Sequence, residues 1–130
     1  MKNIKRIWGY VRFIIIFPGL CLVGCSHNPR IAVHNQTEEA MRVEIEGFSP
    51  FVGPGNLPAS GRKGYNSDIS IRVEDQIVIT WVTRDPPYQE MVETFNRSEI
   101  GIPRRIRIGT LSIKLDENSD WNFEYRRFGN

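Results

Sequence analysis

The chain has 130 residues, 40% of them hydrophobic and 25% charged, with 17 Lys and Arg against 15 Asp and Glu. That length and mix suit one compact domain and exclude a disordered polyelectrolyte or a string of domains. Two cysteines are too few for a disulfide-stapled scaffold, and a formal charge of +2 is too small to argue for nucleic-acid binding.

Residues 1–12 carry Lys2, Lys5, Arg6 and Arg12 and no acid, and an apolar run from Phe13 to Val23 follows. This is the layout of a secretory signal. The uncharged stretch from Phe13 to Cys25 falls short of the roughly 20 apolar residues that a spanning helix needs, and Pro18-Gly19 interrupts it. The segment ends in Leu22-Val23-Gly24-Cys25, which resembles the lipobox of bacterial lipoproteins. The resemblance implies cleavage before Cys25, a diacylglyceryl group on its thiol and an acyl chain on its amine. Residues 1–24 are then a cleaved signal peptide, 25–30 the lipidated cysteine with a short tether, and 31–130 a periplasmic domain. Two or more acyl chains hold a protein stably on a membrane where one does not. Ser26 stands where an Asp would imply retention at the inner membrane, so the resemblance favours the periplasmic face of the outer membrane, with the inner membrane as the alternative.

Removing the signal takes away all four of those basic residues and no acid. The mature chain is left with 13 basic against 15 acidic residues, a formal −2. The apparent basicity is an export feature. Cys21 leaves with the signal and lipid consumes Cys25, so the mature domain must hold together without disulfides.

Ile31-Ala32-Val33-His34-Asn35 reads as a first strand with Ile31 and Val33 inward, followed by a polar turn. Met41, Val43 and Ile45 alternate with Arg42, Glu44 and Glu46, which is the period of a half-buried strand. The two strands are expected to form an antiparallel hairpin. Residues 49–68 read as a long irregular loop, because Pro50, Gly53, Pro54, Gly55, Pro58, Gly61 and Gly64 punctuate them. Ile69–Val73 is another strand, Glu74-Asp75-Gln76 a turn, and Ile77–Thr83 the most apolar strand, bulky on both faces and therefore central. Tyr88–Asn96 fits a strand with Met91 and Phe95 on one face, though two helical turns also match. Residues 104–116 alternate with a slip in phase at Gly109, the mark of a bend or bulge. Asp116–Asp120 is a hairpin loop, and Trp121, Phe123 and Tyr125 form the inward face of a last strand. About seven short strands and no long helix predict a single antiparallel β-sandwich, with a small β-barrel as the alternative.

No catalytic constellation stands out. Ser60-Gly61-Arg62-Lys63 has the Ser-x-x-Lys spacing of penicillin-recognising enzymes, but it sits among glycines and lacks the companion motifs. His27 and His34 do not have metal-ligand spacing, and no metal or cofactor is expected. Glu44 and Glu46 share a solvated strand face. Two features remain as contact candidates. One is the 49–68 loop, through Phe51, Leu57, Arg62, Lys63 and Tyr65. The other is the cluster Arg104, Arg105 and Arg107, either a charged edge that blunts aggregation or a contact for an anion, lipid headgroup or acidic protein.

Val43–Phe48, the Gly/Pro loop, the strand ending Ile79-Thr80-Trp81-Val82-Thr83 and the strand Gly109-Thr110-Leu111-Ser112-Ile113 are together similar to a family of uncharacterised proteobacterial lipoproteins. The chain departs from that family in lacking the cysteines common in its middle loop. The resemblance implies an immunity protein against a type VI secretion effector. On that reading the protein is a non-enzymatic, lipid-anchored inhibitor that binds a secreted antibacterial effector by occlusion and has no nucleic-acid partner. The alternative is a structural or accessory lipoprotein of an envelope or secretion assembly.

Overall fold

The computed structural model describes residues 28–51 and 53–127, so the expected signal peptide, the lipidation site Cys25 and His27 lie outside the described residues. Nine strands follow one another: β1 (Arg30–Asn35), β2 (Met41–Ser49), β3 (Gly53–Leu57), β4 (Arg62–Asn66), β5 (Ile71–Thr83), β6 (Glu90–Asn96), β7 (Arg105–Ile106), β8 (Thr110–Leu115) and β9 (Trp121–Arg126). Sheet one has the order β9-β8-β1-β4, and sheet two the order β3-β2-β5-β6, with β7 added to β5. The chain is an all-β sandwich of two separate sheets and does not close into a barrel. Every ladder is antiparallel except β1–β8, which is parallel.

The alternation in the sequence becomes the core. Ile31, Val33, Leu111, Ile113, Leu115 and Trp121 line the inner face of sheet one. Met41, Val43, Ile45, Leu57, Ile71, Ile77, Ile79 and Trp81 line that of sheet two, and all of these are buried. Full burial of one such side chain is worth roughly 1.5–3 kcal/mol. Aromatic rings lock the two sheets together: Trp81 meets Trp121 edge-on at 5.4 Å, and Phe95 meets Phe123 at 4.9 Å. The expected strand at 88–96 is β6, with Met91 and Phe95 half-buried against the core.

Three expectations are corrected. First, β1 and β2 are not a hairpin, since the turn between them carries the chain from one sheet to the other. Asn35, 1% exposed, fixes that crossing. Its Nδ2 donates to the carbonyls of Glu39 (2.7 Å) and Pro58 (3.0 Å), while Oδ1 accepts from the Thr37 amide (3.0 Å) and hydroxyl (2.6 Å). A buried amide with each of these demands met holds a corner without leaving an orphan polar group.

Second, residues 49–68 are not one loop but contain β3 and β4. Each is an edge strand, where proline and glycine are tolerated because one side of the ladder stays open. Weak side-chain alternation, not weak pairing, hid them. Third, Glu74-Asp75-Gln76 is not a turn, since β5 runs straight through it. The ladder with β2 shifts instead, from Glu46↔Val78 to Phe48↔Val73. Gly47 sits in the shift at φ +119°, where a Cβ would lie 2.8 Å from the Gln76 carbonyl oxygen. Only glycine allows β5 to bulge there. The bend expected at Gly109 is present, but it carries the chain from β7 in sheet two to β8 in sheet one and is not a slip within one strand; Gly109 has φ +98° and the carbonyls of Arg126 and Arg127 where a Cβ would stand.

Leu111 lies on the strand that joins β1 to β9 and is fully buried. Leu111→Ala should cost about 2–5 kcal/mol, read as a lower urea midpoint at unchanged slope. Val92→Ala, on an exposed position of β6, should stay within about 0.5 kcal/mol of the parent.

Candidate functional site

The parallel β1–β8 ladder builds the outer face of sheet one in three rows. Alternation turns Arg30, Ala32 and His34 of β1 away from Ile31 and Val33, and Thr110, Ser112 and Lys114 of β8 away from Leu111, Ile113 and Leu115. The registers then align them. His34 stands opposite Arg62 on β4 and Lys114 on β8, Ala32 opposite Gly64 and Ser112, and Arg30 opposite Asn66 and Thr110. On β9, Glu124 extends the middle row and Arg126 the last. The result is a valley of about 500 Å³ whose floor is made of small residues and whose two sides carry long cations.

The charge on this face is poorly matched. Glu124 is the acid among its lining residues and is held by Arg126 at 3.0 Å. Arg30, Arg62 and Lys114 make no ion pair among the described residues. His34 sits half-buried between Arg62 and Lys114. Burial first, then the charges of Arg62 and Lys114, hold its pKa below the ordinary value. The imidazole therefore stays neutral at neutral pH. An anion settling in the valley would offset the repulsion and favour its protonation.

The residues singled out in the sequence divide sharply. Phe51 (4% exposed) and Leu57 (1%) belong to the core and offer nothing to a partner. Tyr65 is half-buried and packs on Phe51 at 5.4 Å. Arg62 and Lys63 are exposed on β4. Lys63 is in register with Val33 and Arg62 with His34, so the two side chains leave opposite faces of the strand and only Arg62 joins the valley. Ser60 ends at the 58–61 corner, where its amide donates to the Thr37 carbonyl at 3.1 Å.

The arginine cluster is partly committed elsewhere. Arg104 pairs with Asp75 at 3.3 Å, and Arg97 approaches the same carboxylate at 3.6 Å. Arg105 donates to the Ser70 hydroxyl at 2.9 Å, and Arg107 is exposed. With Arg72, Glu74 and Asp75, Arg104 and Arg105 border an open cleft of about 530 Å³ in which both signs of charge are present. The valley on sheet one is therefore the stronger anion surface.

Sequence reasoning missed Arg30, His34 and Lys114 as a group. Arg30 reads as tether, yet it opens β1, and Pro29 before it is already packed. Period-two alternation places each of the three outward. Their adjacency depends on a parallel pairing between the first and eighth strands, which no local signal announces.

No family model matches the chain, and no curated protein matches it. Among solved structures, the NMR structure of a protein from Eubacterium rectale is similar at a TM-score of 0.46 and 17% identity, over 76% of this chain and 88% of its own.

The depressed His34 pKa has a signed consequence. In the unfolded chain the group titrates near 6.5, and in the fold it titrates lower. Between those values the unfolded state binds more protons, so stability rises with pH through that window and is lost as pH falls below 6.5. In an NMR titration, the His34 imidazole should show its midpoint below 6.5, and Arg62→Ala or Lys114→Ala should move it upward.

Proposed function

We propose that this protein is a non-catalytic, lipid-anchored binding protein on the periplasmic face of the outer membrane, and that it works as an immunity-type inhibitor. Its sheet-one valley covers an acidic working surface of a secreted antibacterial effector. The observation that carries this reading is the unpaired cationic face: Arg30, Arg62 and Lys114 around a floor of Gly64, Ala32 and Ser112. Unpaired cations complement an acidic patch, steer its encounter and reject basic competitors.

Inhibition by covering needs a shaped, rigid surface and no nucleophile or general base. A sandwich with its core locked by edge-on aromatic pairs supplies that rigidity. Anchoring through Cys25 would confine the inhibitor to the layer under attack and raise its effective concentration there. The lipobox resemblance and the Ser26 that follows it support the anchor and its location.

Co-expression with the exported toxin of a neighbouring gene tests the reading. Cells carrying the wild-type protein should survive, and the Arg62→Glu/Lys114→Glu double variant should weaken effector binding by about 100-fold or more and abolish protection while remaining in the membrane fraction. Equal killing with and without the wild-type protein would end the immunity reading. Protection by the double variant would exclude the valley as the contact. Separately, Cys25→Ala should abolish palmitate labelling and release the protein from membranes, and a labelled variant would refute the anchor.

A further inference from the structure

Three large hydrophobic side chains are strongly exposed among the described residues: Ile69 (64%), Tyr88 (70%) and Val92 (61%). Tyr88 lies in the segment joined to Thr83 by the Gln89 amide, which donates to the Thr83 hydroxyl, and the Gln89 carbonyl, which accepts from the Thr83 amide, at the end of the sandwich where β5 finishes, and Val92 lies on β6 in register with Thr80. Ile69 is at the opposite end, where the chain leaves toward Cys25.

Backbone bonds tie three segments together at that end. The Ser67 amide donates to the Pro29 carbonyl at 3.0 Å, and the Arg30 amide donates to the Gly109 carbonyl at 3.0 Å. The Ser67 hydroxyl holds the following turn by donating to the Ile69 carbonyl at 2.6 Å, and Arg105 reaches Ser70 at 2.9 Å. Residues 28–30, 67–70 and 104–109 therefore form one surface around the point where the chain departs. They contain Arg30, Arg104, Arg105 and Arg107 against a single acid, Asp68. Arg104 is committed to Asp75 and the Arg30 guanidinium lies over Gly64 on the face of sheet one, which leaves Arg105, Arg107 and an exposed isoleucine. Pro29 is four residues from Cys25, so at about 3.5 Å per residue this surface lies within roughly 14 Å of the acylated position.

We propose that this end of the sandwich seats directly on an anionic phospholipid surface, Ile69 entering the headgroup region while Arg105 and Arg107 meet lipid phosphates. The inference rests on the anchored reading above. An apolar side chain ringed by cations is the surface that a charged bilayer interface accepts, and a short tether holds it there. Seating would stand the strands of sheet one on end. The His34 row of the valley would then lie roughly 13 Å further from the lipid than the Arg30 row, four residues along the strand, and the valley would open sideways to a partner moving over the membrane.

The test uses the full chain processed in its host, purified and reconstituted in vesicles of equimolar phosphatidylglycerol and phosphatidylcholine, or of phosphatidylcholine alone. A nitrobenzoxadiazole label is placed on Ile69→Cys or on Asn118→Cys, the latter in the loop between β8 and β9. The label at position 69 should be shielded from aqueous iodide in the anionic vesicles only, and high salt should reverse the shielding. The label at 118 should stay open to iodide throughout. Arg105→Gln/Arg107→Gln should reduce the seated population by about 25-fold, at roughly fivefold per arginine. A label at 69 as open to iodide as that at 118, or equally shielded in both lipids, overturns the proposal. The mass of the N-terminal peptide reports acylation of Cys25 independently. An acylated protein with residue 69 in water keeps the anchor and loses the seat, whereas an unacylated one that still brings residue 69 to anionic vesicles does the reverse.

Discussion

The parallel ladder between β1 and β8 is the constraint on which the rest of the molecule depends. β1 is six residues long, yet it carries β4 on one edge and β8 on the other. Without that ladder, sheet one would separate into the β8–β9 hairpin and the β1–β4 pair. Leu111, Ile113 and Leu115 would then face Ile31 and Val33 across no ladder, and the Trp81–Trp121 contact would lose its frame. The same register also decides the surface. A shift of one residue along β1 would turn Ile31 and Val33 outward and bury His34, so the pairing that closes the core is also the pairing that lines up Arg62, His34 and Lys114.

Much of this fold is legible in the sequence, for a physical reason. Strands half-buried in a two-layer sandwich must alternate, and the alternation of Met41–Glu46, Leu111–Leu115 and Trp121–Arg126 appears as inward and outward faces. The bend at Gly109 is legible because the pattern changes phase there, at a residue without a Cβ. What is not legible depends on contacts far apart in the chain. β3 reads as loop because Gly53, Pro54 and Gly55 have little side-chain pattern, yet β2 lends it a ladder. Glu74–Gln76 reads as turn because its residues are polar, yet Gly47 on a neighbouring strand makes room for it to stay extended. The valley follows the same rule, since its cations come from β1, β4 and β8 and meet only through tertiary pairing.

The two basic regions of the surface show how charge differs from charge availability. Around β7, Arg104 pairs with Asp75, so its charge is balanced within the protein, while Arg105 bonds only the uncharged Ser70 hydroxyl. Exposed pairs of this kind add little stability, but they neutralise the field. On sheet one, the cations face across a floor of small residues with a single acid that already has a partner. Residues 25–130, with a formal charge of −2, can thus present one strongly positive face, and the position of charge in the fold matters more than its sum.

The distance in sequence between β1 and its neighbours also orders events in time. A chain threaded through a membrane with its N-terminus leading would deliver β1 first, but that strand has no ladder until β4 and then β8 have followed. Bridging residues 30 and 110 means closing nearly the whole domain, an entropic cost that comes before the contacts that offset it. Sheet two can pair β2 with β3 and β5 from segments already across, while sheet one must wait for the end of the chain. On the proposed anchored reading, Cys25 would be modified while the sheet that β1 belongs to is still unmade, and the domain would fold as a molecule already fixed in place.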